Sequence, residues 1–241
     1  MKITAVKTAI FSAGEDLPGF IIRHVPSVPE GTVLAVASKL LALWRGKVIA
    51  YKDLAQKEDL IKRESSWALK TPLAWLTVKN GMVMTNAGID ESNADGKLLL
   101  LPTDCYAAAE ELRQRVKQVW GVKNLGIVVT DSMILPLRAG VIAGAVAYSG
   151  FKGVRDLRGQ KDLFGRPLQI TLVNVADSLA TAAAYCMGEG AERCPLAVVD
   201  ESGVVFVDEV DPNEIKYSIE DDLYTPLFHA AGYITKGEQH D

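Results

Sequence analysis

The hydrophobic positions of this chain fall into short β-prone runs separated by stretches of helical spacing. Lys2 to Phe11 alternates loosely and predicts an opening strand. Gly14-Glu15-Asp16-Leu17 reads as a turn into a short helix. Val33 to Ala37 and Gly46 to Ala50 predict two further strands. Asp53 to Ala68 is polar, with apolar residues at Leu54, Leu60 and Ile61, so a surface helix capped by Asp53 is expected. Asn80-Gly81 sits between two β-prone runs in Thr77 to Thr85, the signature of a type I′ hairpin. Leu98 to Leu101 predicts a strand, ended by Pro102. A long helix follows over Cys105 to Trp120, with Asp104 as cap and Tyr106, Ala109, Leu112, Val116 and Val119 on one stripe. Leu125 to Thr130, Leu168 to Val175 and Leu196 to Val199 read as strands. Ala176 to Met187 and Glu220 to Phe228 read as helices, and the last dozen residues are expected to fray. Strands and helices interleave without a regular βαβ beat, and the hairpin argues against a purely parallel sheet. The expected class is therefore α+β, with mixed sheets and interleaved helices.

Composition narrows the function. The 241 residues are 49% hydrophobic and carry a net charge of −4, so a cationic face for nucleic acid is not expected. No apolar run approaches the length of a membrane span, and the first residues lack the pattern of a secretory signal. Three cysteines, Cys105, Cys186 and Cys194, do not suggest a disulfide framework and fit a reducing cytoplasm. With three histidines, a bound metal is expected to take oxygen ligands.

Four segments can carry chemistry. Asn86-Ala87-Gly88-Ile89-Asp90-Glu91-Ser92-Asn93 follows a strand; Gly88 allows close backbone approach, Asp90 suits Mg²⁺ or Mn²⁺, and Asn93 can bond a nucleotide. The same residues also read as a solvated loop of side-chain turns. Asp131-Ser132 stands where a β-rich run ends, placed to hold a metal over phosphates or simply to cap a turn. Met187-Gly188-Glu189-Gly190 reads either as a phosphate-approaching turn with Glu189 on a metal or as a plain helix stop. The arginines of Arg155 to Gly159 and Asp162 to Leu168 either clamp a carboxylate or phosphate or form surface ion pairs. Neither a Walker A loop nor a Rossmann glycine fingerprint is present, and Ser38-Lys39 lacks the preceding glycines. His24 reads as structural, and Trp44, Trp67, Trp75 and Trp120 as core.

These segments, in order over nearly the whole chain, resemble the coenzyme F(420)-0:L-glutamate ligase family, the γ-glutamyl ligases of deazaflavin cofactor synthesis. The resemblance is carried by Gly14 to Leu17, the Asn86–Asn93 loop, Leu101-Pro102, Thr130-Asp131-Ser132, Asp156 to Gly159, Asp162 to Leu168, Ala176 to Ala180 and Met187-Gly188-Glu189. It implies one γ-glutamyl-ligase-like unit over residues 1–241, open to division into two closely packed subdomains, and a homodimer. It implies GTP as co-substrate, two divalent cations (Mg²⁺ or Mn²⁺), and an acyl phosphate attacked by an amino acid's amine. By this resemblance Asp90 and Asp131 hold the first metal, and Ser132 and Glu189 the second. Ser38, Lys39, Asn93, Met187, Gly188 and Gly190 meet the nucleotide, and Asn86, Gly88, Arg138 and Arg158 the substrate.

The chain also departs from the family pattern. Leu43-Trp44-Arg45-Gly46 stands where the family carries a lysine, with Lys39 or Arg45 as substitutes out of place. Met133-Ile134-Leu135-Pro136-Leu137-Arg138 and Val141-Ile142-Ala143 replace a more polar stretch, and Glu189 replaces a glutamine. An apolar wall there cannot satisfy a polyanionic acceptor, so a changed acceptor is expected. The alternative is a catalytically weak nucleotide- or metabolite-binding protein that keeps the fold.

Overall fold

The computed structural model describes residues 1–233. Its first elements are β1 (Lys2–Val6), α1 (Leu17–His24), β2 (Thr32–Ala37), α2 (Ser38–Trp44), β3 (Val48–Ala50), α3 (Leu54–Arg63), β4 (Trp67–Lys70), β5 (Trp75–Lys79), β6 (Met82–Thr85) and a 3-10 turn at Asn86–Gly88. There follow β7 (Lys97–Leu99), α4 (Cys105–Trp120), β8 (Leu125–Met133), β9 (Ile142–Ser149), β10 (Val154–Asp156), β11 (Leu172–Asn174), α5 (Val175–Met187), β12 (Leu196–Asp200) and α6 (Thr225–Ala230). The architecture is mixed α and β, with several sheets and interleaved helices, as the hydrophobic pattern predicts. The chain divides into two units: Met1–Val48 with Leu101–Ile215, and Ile49–Leu100 with the chain from Lys216 onward. Fraying of the last dozen residues falls, for 234–241, outside the described residues.

The first unit is built on a five-stranded sheet in the order β1-β12-β2-β8-β9. Within it β2 and β8 run parallel, and the other neighbours are antiparallel. Strand side chains alternate between faces. Val33, Ala35 and Val128 therefore share a cluster with Ala176, Ala180 and Ala183 of α5, all fully buried. Alanines let this helix lie close to the strands. Leu34, Val36, Ile127 and Val129 leave the opposite face and are equally buried. A sheet covered on both faces needs continuous apolar strands, which accounts for the unbroken β-branched runs at these positions. β8 runs three residues beyond the predicted end at Thr130, because Asp131, Ser132 and Met133 stay paired with Gly144, Ala143 and Ile142 of β9.

Helix α4 has the predicted limits, but its inward stripe is Cys105, Ala108, Ala109, Leu112, Arg113 and Val116. Val119 is exposed instead. Asp104 makes no side-chain cap; its carboxylate lies 3.6 Å from the Arg45 guanidinium. Arg113 is buried, and its Nε donates to Leu125 O at 2.9 Å. Its Nη1 reaches both Glu110 carboxylate oxygens at 3.1 Å, and the Ser149 hydroxyl donates to the same carboxylate. His24 is structural as expected: Nε2 accepts from Ala9 N–H at 3.1 Å while Nδ1 faces Phe20 O.

In the second unit Asn80 and Gly81 take φ of 54° and 75° between β5 and β6. This is the predicted I′ turn. β4 extends that hairpin to three strands and takes residues assigned above to the end of a helix. The cause lies at Ser65-Ser66: Ser65 Oγ donates back to Ile61 O, and Ser66 N–H donates to Val78 O, handing the backbone to the sheet. Asp53 caps α3 as predicted, accepting from Gln56 N–H at 2.9 Å. Leu60 and Ile61 pack with Ile89, Leu98 and Leu100. α6 begins later than expected, with a proline in its first turn, where the missing N–H costs nothing. The four tryptophans are half-buried rather than core.

Candidate active site

In the first unit the parallel strands β2 and β8 end side by side, with Ala37 opposite Thr130. The next residue of each turns toward the other: Ser38 Oγ donates to Asp131 Oδ1 at 2.8 Å. Ser38 is buried and Asp131 half-buried. Ser132, next along β8, leaves the strand on the opposite side. There its hydroxyl donates to Glu189 Oε2 at 2.8 Å. Four predicted residues are thus brought together as two hydrogen-bonded pairs flanking the end of β8. Lys39 is half-buried beside Ser38. Between Val129 and Thr130 the β8–β9 register shifts by a bulge, which bends the ladder just before Asp131.

Past α5 the chain turns at Gly188, whose φ of 83° favours glycine. Met187 is buried under the helix end, whereas Gly188, Glu189 and Gly190 are exposed. Glu192 folds back over this turn, its Oε2 accepting from Gly190 N–H at 2.8 Å. A Cβ on Gly188 would sit 2.5 Å from Glu192 Cδ. The concave side of the turn therefore already holds a carboxylate. Glu192 lies in the Met187–Cys194 stretch expected at the nucleotide, and its signal in the sequence is an acid two residues beyond a Gly-x-Gly turn.

Asn86, Gly88, Asp90 and Asn93 belong to the second unit. Asn86, Ala87 and Gly88 are successively left-handed, with φ of 52°, 56° and 67°. The first two are strained for non-glycine residues. The surroundings impose this conformation. Thr77 Oγ1 accepts from Ala87 N–H at 2.8 Å and donates to Met84 O at 2.6 Å, and Asn86 Oδ1 accepts from Trp75 N–H at 3.0 Å. Asp90 is bridged to Leu99 through both backbone bonds, and its Oδ1 accepts from Ser92 N–H at 2.6 Å. Asn93 is exposed, with φ of 55°. The loop is thus a built, partly strained feature rather than only a solvated connection. Among the described residues, no group of three or more His, Cys, Asp or Glu side chains gathers in a metal-holding cluster. The donors that are present, carboxylates and hydroxyls, suit hard cations such as Mg²⁺ and Mn²⁺.

Arg158 grips its own loop: Nε and Nη2 both bond the Asp156 carboxylate, at 3.0 and 2.6 Å to the nearer oxygens. Hydrogen bonds from the Arg158 side chain and backbone pull the Asp156 carboxyl down to about 2. Arg138 is exposed in the β8–β9 loop. Ile134, Leu135, Leu137 and Val141 of this loop are also exposed, so the apolar substitutions form a surface rather than the buried wall expected. Arg45 stacks on Trp44, with its guanidinium 4.2 Å from the ring centre, and pairs with Glu111 at 2.6 Å. It is committed to that network. Gly14 N–H donates to Leu43 O at 3.3 Å, so the turn before α1 meets the Leu43–Gly46 stretch.

The chain belongs to the F420-0:Gamma-glutamyl ligase family, whose profile matches residues 5–201. It is similar to the coenzyme F420:L-glutamate ligase of Methanopyrus kandleri, 35% identical over 204 residues, covering 77% of this chain and 80% of that protein. The enzyme of the same name from Archaeoglobus fulgidus is 32% identical over 232 residues, covering 89% and 92%. That of Methanocaldococcus jannaschii is 30% identical over 225 residues, covering 86% and 90%. No helix among the described residues is long and apolar enough to cross a membrane.

Proposed function

We propose that the protein is a GTP- and divalent-metal-dependent ligase that joins an amino acid's amine to a carboxylate acceptor through an acyl phosphate. Its family membership and the names of its relatives support an amide-forming ligase of the γ-glutamyl type. The observation that carries the reading is the double pairing at the end of β8, Ser38 with Asp131 and Ser132 with Glu189. Acidic groups beside hydroxyls at a strand end supply the hard oxygen donors that a divalent cation takes, which supports this reading.

In this reading the γ-phosphoryl group passes from GTP to the acceptor's carboxylate oxygen, GDP leaves, and the amine displaces phosphate to form the amide. Two Mg²⁺ or Mn²⁺ ions, when bound, neutralise charge on the transferring phosphoryl. Asp131, Ser132 and Glu189 of the first unit would serve as ligands, and Asp90 is the candidate ligand in the second unit. Ser38, Lys39, Asn93, Met187, Gly188 and Gly190 hold the nucleotide, and Glu192 leaves the glycine turn when a phosphate enters. Asn86, Gly88, Arg138 and Arg158 orient the acceptor, with Arg158 exchanging Asp156 for it. The working enzyme is a cytoplasmic homodimer.

An acceptor other than the deazaflavin substrate is part of this reading, on the departures of Met133-Ile134-Leu135 and Val141-Ile142-Ala143 from the family pattern. The commitment of Arg45 to Glu111 gives some weight to the second reading, a catalytically weak binding protein on the same fold. Calorimetry with GTP and ATP, with and without Mn²⁺, decides between site and scaffold. Metal-dependent GTP binding is expected; binding of neither nucleotide overturns the ligase reading. A ligation assay with the deazaflavin acceptor and glutamate follows, and rapid turnover there would refute a changed acceptor.

A further inference from the structure

Within the second unit, at the start of α3, a cleft of about 550 Å³ opens between Tyr51, Lys52, Asp53, Lys57 and Glu91. It is open to solvent on one side, with room for a small molecule. Its lining is mostly polar, with the Tyr51 ring and the exposed Leu54 as its large apolar surfaces, so the ligand that fits is small and polar. The charges of the lining are balanced, two ammoniums (Lys52, Lys57) and two carboxylates (Asp53, Glu91). A ligand of one sign would meet repulsion from half of them, whereas a zwitterion finds a partner for each of its charges.

Glu91 organises the cleft. Its Oε2 accepts from the Tyr51 hydroxyl at 2.9 Å and lies 3.0 Å from Lys57 Nζ. Both contacts fall on one oxygen, and a carboxylate has acceptor sites on each. Lys57 is largely covered, its side chain 13% exposed, and uses one of its three donors on Glu91. Glu91 is also the chain neighbour of Asp90, so the cleft stands one residue from a proposed metal ligand.

We propose that this cleft binds the free amino acid that supplies the amine, its ammonium on Glu91 and Asp53 and its carboxylate on Lys57 and Lys52. The proposal rests on the ligase reading for the amino acid's role, and on the cleft's own geometry for its binding.

The test is calorimetric titration of L-glutamate into the full chain, wild type against Glu91→Gln and Lys57→Met, with GTP and Mn²⁺ titrated into the same preparations and thermal melting to confirm folding. Glutamate affinity is expected to fall about tenfold or more in each variant, as for loss of a charge-assisted hydrogen bond, with GTP affinity unchanged. Glutarate, which lacks the ammonium, is expected to bind the wild type more weakly and to gain rather than lose affinity in Glu91→Gln, which relieves a like-charge repulsion. Unchanged glutamate affinity in both folded variants, or no glutamate binding by the wild type, overturns the cleft. If GTP fails to bind while glutamate binds and depends on Glu91, the ligase reading falls and the amino-acid site stands.

Discussion

The Ser132 hydroxyl donates to the Glu189 carboxylate across 2.8 Å, joining the end of β8 to the turn after α5. Both residues are exposed, so the bond contributes little to stability and its value lies in position. Replacing Glu189 by Gln keeps an acceptor for Ser132 but removes the charge. Mn²⁺ affinity, read by titration in the presence of GTP, is expected to fall about tenfold, the scale of one charged contact. The melting temperature should hardly move. Unchanged or tighter metal binding would remove Glu189 from the metal site.

Ser38 and Asp131 make a different prediction because they are better covered. Asp131→Asn is expected to abolish metal-dependent GTP binding while the protein still folds, since Ser38 can donate to an amide oxygen. Ser38→Ala leaves the carboxylate without its donor. It should cost about 1 kcal/mol, or roughly 2–4 °C in a chain of this size. Calorimetry and thermal melting on both variants separate the roles. GTP binding that survives Asp131→Asn would exclude a metal at this strand end.

These pairs also mark how far the sequence can be read. Asn80-Gly81, the Asp53 cap and the limits of α4 were legible because turn and cap chemistry is local, written in adjacent residues. Trp67 and Ala68 read as the end of a helix because they follow a polar stretch with helically spaced apolar residues. What moves them into β4 is pairing with Thr77 and Val78 on another strand. Asp131 was found as a strand-end acid, but its contact with Ser38 depends on β2 and β8 lying parallel after a long crossover. Sequence spacing carries no record of that register. The resemblance to a family supplied the candidate residues, and the structure supplied which of them touch.

Glu192 over Gly188 and Gly190 predicts competition with the nucleotide. Where the glycine turn receives a phosphate, the Glu192 carboxylate must leave first, and its charge opposes entry. Glu192→Ala is expected to raise GTP affinity several-fold and to leave Mn²⁺ dependence intact. Gly188→Ala should do the reverse. The added Cβ would overlap Glu192 and impose a positive φ on alanine, a strain on the order of 1 kcal/mol or more. Equal GTP affinity in wild type and Glu192→Ala would show that the turn does not meet phosphate.

Glu110 is one carboxyl through which acid should weaken the fold. Burial alone would raise this carboxyl, but hydrogen bonds from Ser149 and Gln114 and the charge of Arg113 outweigh it and hold it below its ordinary 4.5. A carboxyl depressed by folding stabilises the native state above its unfolded value, and that stability is lost as pH falls through the folded one. Thermal melting from pH 7 to pH 3 should therefore decline below about pH 4.5. Glu110→Gln is expected to melt lower at pH 7, because buried Arg113 loses its carboxylate, and to show a shallower decline in acid. Wild-type and variant curves that run parallel would mean that the Glu110–Arg113–Ser149 network does not control acid stability.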